Sequence, residues 1–275
     1  MKRWVVNGQP NDLINPFDRG LTYGDGLFET IAVRDGECRF FGAHYARMVI
    51  SCRRLHLPVP ERNSLLESAA RLIADDVTGT LKIIVTRGTG ERGYRLPDEP
   101  HPSCIMGFSP ETLVQSPVSG VRARVCDVRI STNPVLAGIK TLNRLEQVLA
   151  RAEWSDPDIV EGVMLNQRDE LVCGTMSNLF LVARDQLWTP MLDESGVHGI
   201  MRSQVMNLAG ELGITCNEQR MALSLLEEAD DVFVTNARVG LWPVAELDHR
   251  RYQRADITMQ LRAGLAQRGV SECAQ

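Results

Sequence analysis

The strand-forming segments of this 275-residue chain come in clusters, with no regular strand-helix-strand alternation. That pattern disfavours a doubly wound parallel sheet, whose crossovers need a helix after nearly every strand, and predicts an α+β fold. The first cluster opens with RWVVNG and passes a turn region carrying Pro16, Gly20, Gly24 and Gly26. It continues as ETIAVRDGECRFF, where Asp35-Gly36 predicts a two-residue hairpin turn. Two helical patterns follow over 43–57 and 64–76, the second with Leu65, Ala69, Leu72 and Ile73 at helical spacing, and they are expected to cover that sheet. LKIIVTRG and SCIMGFS read as two more strands, separated by a Gly/Pro/Arg-rich loop of a length that often contacts ligands.

Around residues 110–119 the composition becomes loop-like. This stretch is expected to connect an N-terminal α/β domain, residues 1–109, to a C-terminal α+β domain, residues 120–275. The second half offers strands at GVRARVCDVRI, GVMLNQRDELV, NLFLVARDQLWTP, DVFVTN and GLWPVAEL, with helices expected over 141–154 and 199–213. No internal repeat interrupts it.

Composition excludes several function classes. With 44% hydrophobic and 24% charged residues the chain is an ordinary globular one, and no apolar run approaches the roughly 20 residues that cross a bilayer. The start MKRWVVNGQPND turns polar too soon for a signal peptide. A net charge of -5 argues against a nucleic-acid partner, and the short RRYQR does not overturn it. Seven cysteines, an odd set with no CxxC pair, suggest a reducing cytosol and no metal site.

The 30 basic residues include only three lysines, so chemistry that needs a lysine amine has three candidates. Lys2 sits in a tail where it would stay solvated. Lys82 enters the apolar strand LKIIV, where its stem is expected to lie along the sheet and its ammonium to reach water. Lys140 directly precedes the helix expected from Thr141, whose hydroxyl can act as N-cap. Positive charge at a helix start and burial would both favour a neutral, nucleophilic amine of the kind that joins carbonyls such as the aldehyde of pyridoxal phosphate. A stem that packs while its head finds a carboxylate such as Glu146 is the open alternative.

A pyridoxal phosphate site also needs an anion cradle. In VHGIMRSQVMNLAGELG, Met201, Val205, Leu208 and Leu212 form a helical face and Gly213 a stop, while Gly199 admits close backbone approach. The amides of Ile200 and Met201 would then point at a phosphate. Arg47, one turn after His44, can add a cation. A capped surface helix and a solvated arginine are the plainer readings of the same residues.

Four ordered segments, YGDGLFET, AGIKTLNRLEQVLAR, GTMSNLFLV and GVHGIMR, resemble the fold-type IV pyridoxal-phosphate enzymes, and the resemblance covers nearly the whole chain. It implies a two-domain fold like that of D-amino-acid aminotransferase, a homodimer, and pyridoxal 5'-phosphate in the interdomain cleft. By the same resemblance Lys140 is the Schiff-base lysine, Arg47 and the amides of Ile200 and Met201 hold the phosphate, Asn236 lies on the phosphate side, and Asn178 lies beneath the ring. Within that group, TRGTGERGY and the NPVLAGIKTLNRLEQVLAR block are most similar to the aminodeoxychorismate lyases. These convert 4-amino-4-deoxychorismate to 4-aminobenzoate and pyruvate. Thr30 then matches the residue beside the leaving group, and Arg92 with Tyr94 is the preferred pair for a substrate carboxylate, ahead of Arg87 and Arg95. Branched-chain or D-amino-acid transamination is the alternative activity, and a cofactor- or anion-binding regulator without turnover the alternative class.

The chain departs from the family at one position. Where the pattern EGTxSNLF has a glutamate for the pyridine nitrogen, CGTMSNLF has Cys173. A neutral thiol there makes the ring a weaker electron sink, which an elimination tolerates better than a transamination does. Cys173 as a small buried residue, with the nitrogen bonded elsewhere, stays open beside that reading.

Overall fold

A computed structural model describes residues 3–10 and 13–274, so the expectation for Lys2 lies outside the described residues. The chain divides into two compact units. Met1–Leu113 with Ile139–Asn143 make the first, and Val114–Gly138 with Arg144–Gln275 make the second.

The first unit is built on strands β1 (Arg3–Val6), β2 (Gln9–Pro10), β3 (Gly26–Arg34), β4 (Glu37–Cys38), β5 (Gly79–Thr86) and β6 (Ser103–Pro110), in the order β2-β1-β6-β5-β3-β4. All their pairings are antiparallel. Asp35 and Gly36 both take positive φ, 51° and 79°, which is the backbone the expected hairpin turn requires. Helices α1 (Arg19–Tyr23), α2 (Phe41–Arg54) and α3 (Arg62–Leu72) complete the unit, and the core packs Leu27, Ile31, Leu81, Ile83 and Met106 with Met48, Leu65 and Leu72. Each such side chain contributes roughly 1.5–3 kcal/mol by leaving water. Side chains alternate along β3, so Leu27, Ile31 and Val33 share the core face while Phe28 and Thr30 lie half-buried on the other.

The segment Ile139–Asn143 runs antiparallel along β3. Leu27 bridges Thr141, the Phe28 amide donates to the Lys140 carbonyl at 2.9 Å, and the Leu142 amide donates to the Gly26 carbonyl at 3.0 Å. This corrects the expected helix start. The helix α4 spans Leu145–Arg151 with Arg144, not Thr141, at its N-cap position. Backbone groups already paired to a strand edge cannot also close helical turns. Lys140 is therefore an edge-strand residue, and the helix-terminus argument for its amine does not apply.

The second unit carries β7 (Val121–Val125), β8 (Ile159–Leu165), β9 (Leu171–Gly174), β10 (Asn178–Ala183), β11 (Gln186–Pro190), β12 (Cys216–Gln219), β13 (Asp231–Asn236), β14 (Gly240–Leu247) and β15 (Arg250–Arg251). They form one mixed sheet in the order β12-β11-β10-β13-β14-β7-β8-β9, with β15 on β14. Helices α5 (Ile200–Glu211), α6 (Leu225–Glu228) and α7 (Asp256–Gln267) belong to the same unit. On α7 the buried Arg262 donates to the carbonyls of Ser116 (2.6 Å) and Cys273 (3.3 Å), tying the start of the unit to its end. The strand clustering read from the sequence is thus realised as an α+β fold. Among the described residues, no helix is long and apolar enough to cross a membrane.

Candidate active site

In the first unit, pairing puts Lys140 directly opposite Phe28 on β3, so both side chains leave the sheet on one face. The Lys140 Nζ stands 4.3 Å from the Phe28 ring centroid. Thr30 follows two residues along the strand on that same face, paired across the sheet with Lys82. The sequence thus supplies a half-buried amine, an aromatic floor and a hydroxyl side by side.

The neighbouring residue Glu29 points the other way, into a buried cluster with α2. Its Oε1 accepts from Arg47 Nε at 2.8 Å, and its Oε2 pairs with Arg47 Nη2 and lies 2.7 Å from His44 Nδ1. Burial alone would raise the Glu29 carboxyl, but the Arg47 charge and the bonds from His44 and Arg47 together outweigh it and hold the carboxyl below its ordinary value. Burial lowers His44 instead, and the charges of Arg47 and Lys140 act in the same direction. His44 is thus neutral, with Nδ1–H donated to Glu29 and a buried Nε2 that has no hydrogen-bond partner. Glu29 thus fixes both the His44 ring and the guanidinium of Arg47.

The long loop after β5 places its arginines very differently. Arg87 is buried and donates to Asp25 at 2.7 and 2.9 Å and to the carbonyls of Leu55 and His56 at 2.8 Å each, so its role is to hold the fold. Arg95 pairs with Asp98 in solvent. Arg92 is exposed, and Tyr94 is 85% exposed, resting edge-on against Tyr23. Gly93 between them is anchored through its carbonyl to Arg19 and its amide to the Tyr23 hydroxyl.

In the second unit, the CGTMSN segment is organised by a residue the sequence reading missed. Glu161 of β8, 2% exposed, accepts from the amides of Gly162 and Thr175 at 2.9 Å, from Thr175 Oγ1 at 2.5 Å and from Ser177 Oγ at 2.6 Å. Four donors compensate a buried carboxylate and fix the loop between β9 and β10. A lone acid inside the apolar run IVEGVML was the available signal.

Asn178 follows that loop and braces the next one: its amide donates to the Val197 carbonyl at 2.9 Å. A Cβ on Gly199 would come within 1.9 Å of Asn178 Oδ1, so the approach to α5 requires glycine there. Helix α5 then starts at Ile200 with Gly199 as N-cap and no side-chain cap, which presents the amides of Ile200 and Met201 while their side chains are buried. The Asn236 Oδ1 accepts from the amides of Arg238 and Val239 at 2.9 and 3.0 Å and so shapes the turn between β13 and β14.

Cys173 is buried on β9 in a cluster with Cys126, Ala150, Met164 and Val172. Burial lowers the Arg144 guanidinium from its usual range, with Cys173 and Glu146 acting in the opposite direction. The Glu146 carboxylate accepts from the Ser131 amide at 2.9 Å.

These residues fit pyridoxal phosphate at most points. Taken by itself, the second unit offers an uncapped 12-residue helix that tolerates only glycine at its entrance, which suits a phosphate; the first unit, by itself, offers Arg47 as a cation fixed by Glu29 and a buried His44 Nε2 with no hydrogen-bond partner. The acid for the pyridine nitrogen is the one element absent from its usual place.

Comparison with known proteins agrees. Residues 26–247 match the family described as Amino-transferase class IV. The chain is 35% identical over 242 residues to an aminodeoxychorismate lyase of Vibrio harveyi, covering 87% of this chain and 89% of the relative. It is 31% identical over 258 residues to a putative branched-chain-amino-acid aminotransferase of Methanocaldococcus jannaschii, covering 90% and 88%. The crystal structure of 4-amino-4-deoxychorismate lyase from Pseudomonas aeruginosa superposes with a TM-score of 0.89 at 41% identity, covering 96% of this chain and 98% of that one. The chain therefore belongs to the class IV aminotransferase family, the fold-type IV enzymes that work with pyridoxal phosphate.

Proposed function

We propose that this protein is an aminodeoxychorismate lyase, converting 4-amino-4-deoxychorismate to 4-aminobenzoate and pyruvate. The single observation that carries the choice of reaction is the Thr30 hydroxyl on the same sheet face as Lys140 and Phe28. The likeness to two lyases at 41% and 35% identity supports it.

Pyridoxal phosphate, when bound, supplies the aldehyde that takes up the substrate amine and a ring that withdraws electrons from the amine-bearing carbon. In the first unit Lys140 would hold the cofactor, and Arg47, oriented by Glu29, would bind its phosphate. The second unit contributes the amides of Ile200 and Met201, with Asn178 and Asn236 shaping the loops around them. The Lys140 amine would take the proton from the amine-bearing ring carbon of the substrate. As those electrons enter the ring, the bond from the adjacent carbon to the enolpyruvyl oxygen breaks and the ring becomes aromatic. Thr30 donates a hydrogen bond to the departing oxygen, and the proton held on Lys140 balances the one that turns the enolate into pyruvate. One substrate gives one 4-aminobenzoate and one pyruvate, with no co-reactant.

Cys173, a buried thiol in place of the family's acid, would leave the ring a weaker electron sink. That favours a path in which a leaving group removes the charge at once. Arg92 and Tyr94 remain our candidates for a substrate carboxylate on the exposed loop. We also infer a homodimer, supported by the exposed apolar face of α4, and a cytosolic setting, supported by seven free thiols.

The test is a coupled assay for 4-aminobenzoate and pyruvate from 4-amino-4-deoxychorismate. The wild type is expected to release both in equal amounts, and Lys140→Ala to lose about 10²–10⁴-fold or more. Amino-group transfer to pyruvate or 2-oxoglutarate without 4-aminobenzoate release would instead support the aminotransferase reading that the Methanocaldococcus relative suggests.

A further inference from the structure

Lys82 does more than carry charge into solvent. It stands opposite Thr30 in the β3–β5 register and one diagonal step from Phe28, so its stem lies on the face that carries Lys140. Its Nζ is 5.1 Å from the centroid of the same Phe28 ring that Lys140 Nζ approaches to 4.3 Å. Two amines thus share one aromatic ring, with the Thr30 hydroxyl beside them. Among the described residues no carboxylate pairs with Lys82, whereas Arg19, Arg47, Arg87 and Arg122 each pair with one. An ammonium with no carboxylate partner, beside the same aromatic ring as the Lys140 amine, is a ready receptor for an anion.

We propose that Lys82 binds the carboxylate on the leaving group of the substrate, the three-carbon enolpyruvyl arm. This rests on the lyase reading, which gives the substrate two carboxylates and places the breaking C–O bond at Thr30. Because Thr30 and Lys82 are cross-strand neighbours, a group whose ether oxygen reaches Thr30 brings its own carboxylate to Lys82. During bond breaking that arm gains a second negative charge as it becomes an enolate, so the Lys82 ammonium stabilises the transition state more than the bound substrate. A compact ammonium with three rotatable donors suits a charge that shifts between a carboxylate and an adjacent oxygen.

The test compares Lys82→Met, which keeps the stem and removes the charge, with Lys82→Arg and wild type. Lys82 is exposed on its strand, and unchanged cofactor absorbance checks that each variant is folded and loaded. Binding is measured by calorimetry with two unreactive probes: chorismate, which carries the enolpyruvyl carboxylate but no amine, and 4-hydroxybenzoate, which lacks that arm. Lys82→Met is expected to weaken chorismate roughly 10- to 100-fold and leave 4-hydroxybenzoate unchanged, with Lys82→Arg recovering part of the loss. In the lyase assay the same charge removal lowers kcat as well as kcat/KM. Equal chorismate affinity in wild type and Lys82→Met overturns the proposal. Lys82-dependent chorismate binding by a wild type that releases no 4-aminobenzoate overturns the lyase reading and leaves the Lys82 site standing. A wild type that neither binds chorismate nor turns over overturns both.

Discussion

Glu29 and His44 make the first unit acid-sensitive. The Glu29 carboxyl is held below its ordinary 4.5 and His44 below its ordinary 6.5. Both shifts are downward, so the unfolded chain binds protons more readily than the folded one and stability rises with pH. The His44 contribution is complete above 6.5 and is lost as pH falls toward its folded value; the Glu29 contribution follows below 4.5. Denaturant unfolding is expected to show stability falling from pH 7 to pH 4. In His44→Asn, which keeps a donor toward Glu29 but cannot titrate, the decline between pH 6.5 and 5 flattens. Identical slopes in both proteins would contradict this assignment. At this scale the sequence was half legible. Lys140 and Arg47 stood out through lysine scarcity and helical spacing, whereas Glu161 and Glu29 looked like ordinary acids, because only tertiary contacts bring four donors to one and a histidine-arginine pair to the other. Lys82 was read as merely solvated because a single strand does not reveal which residues stand opposite it.

Hairpins and long helices were legible because their causes are local: the Asp35-Gly36 turn chemistry, and the apolar spacing of α2, α3 and α5. The start of α4 was not. Thr141 has the chemistry of an N-cap, yet β3 claims the backbone of residues 140–142, and a strand edge formed more than a hundred residues earlier outweighs a local preference. On α4 itself, Leu145, Val148 and Leu149 are 68%, 61% and 52% exposed at helical spacing, an apolar face that the helix presents outward. The proposed homodimer buries this face. Val148→Glu combined with Leu149→Glu is expected to shift the mass seen by light scattering from twice the chain mass to once. An unchanged dimer would put the interface elsewhere.

Across the whole molecule, clustered strands were enough to predict α+β order, but one short segment resists any simple partition. Ile139–Asn143 belongs with the first unit while its flanks belong with the second. Lys140 thus lies on a segment that leaves one unit for the other and returns, a non-local arrangement that composition and periodicity do not encode. The same segment carries the central chemical assignment, and the scarcity of lysine makes it unusually easy to check. Borohydride reduction of the protein loaded with pyridoxal phosphate, followed by proteolysis and peptide mass mapping, fixes the cofactor to the amine that held it. A single modified peptide containing Lys140 is expected; modification at Lys2 or Lys82, or no modified peptide, would rule out Lys140 as the cofactor's amine.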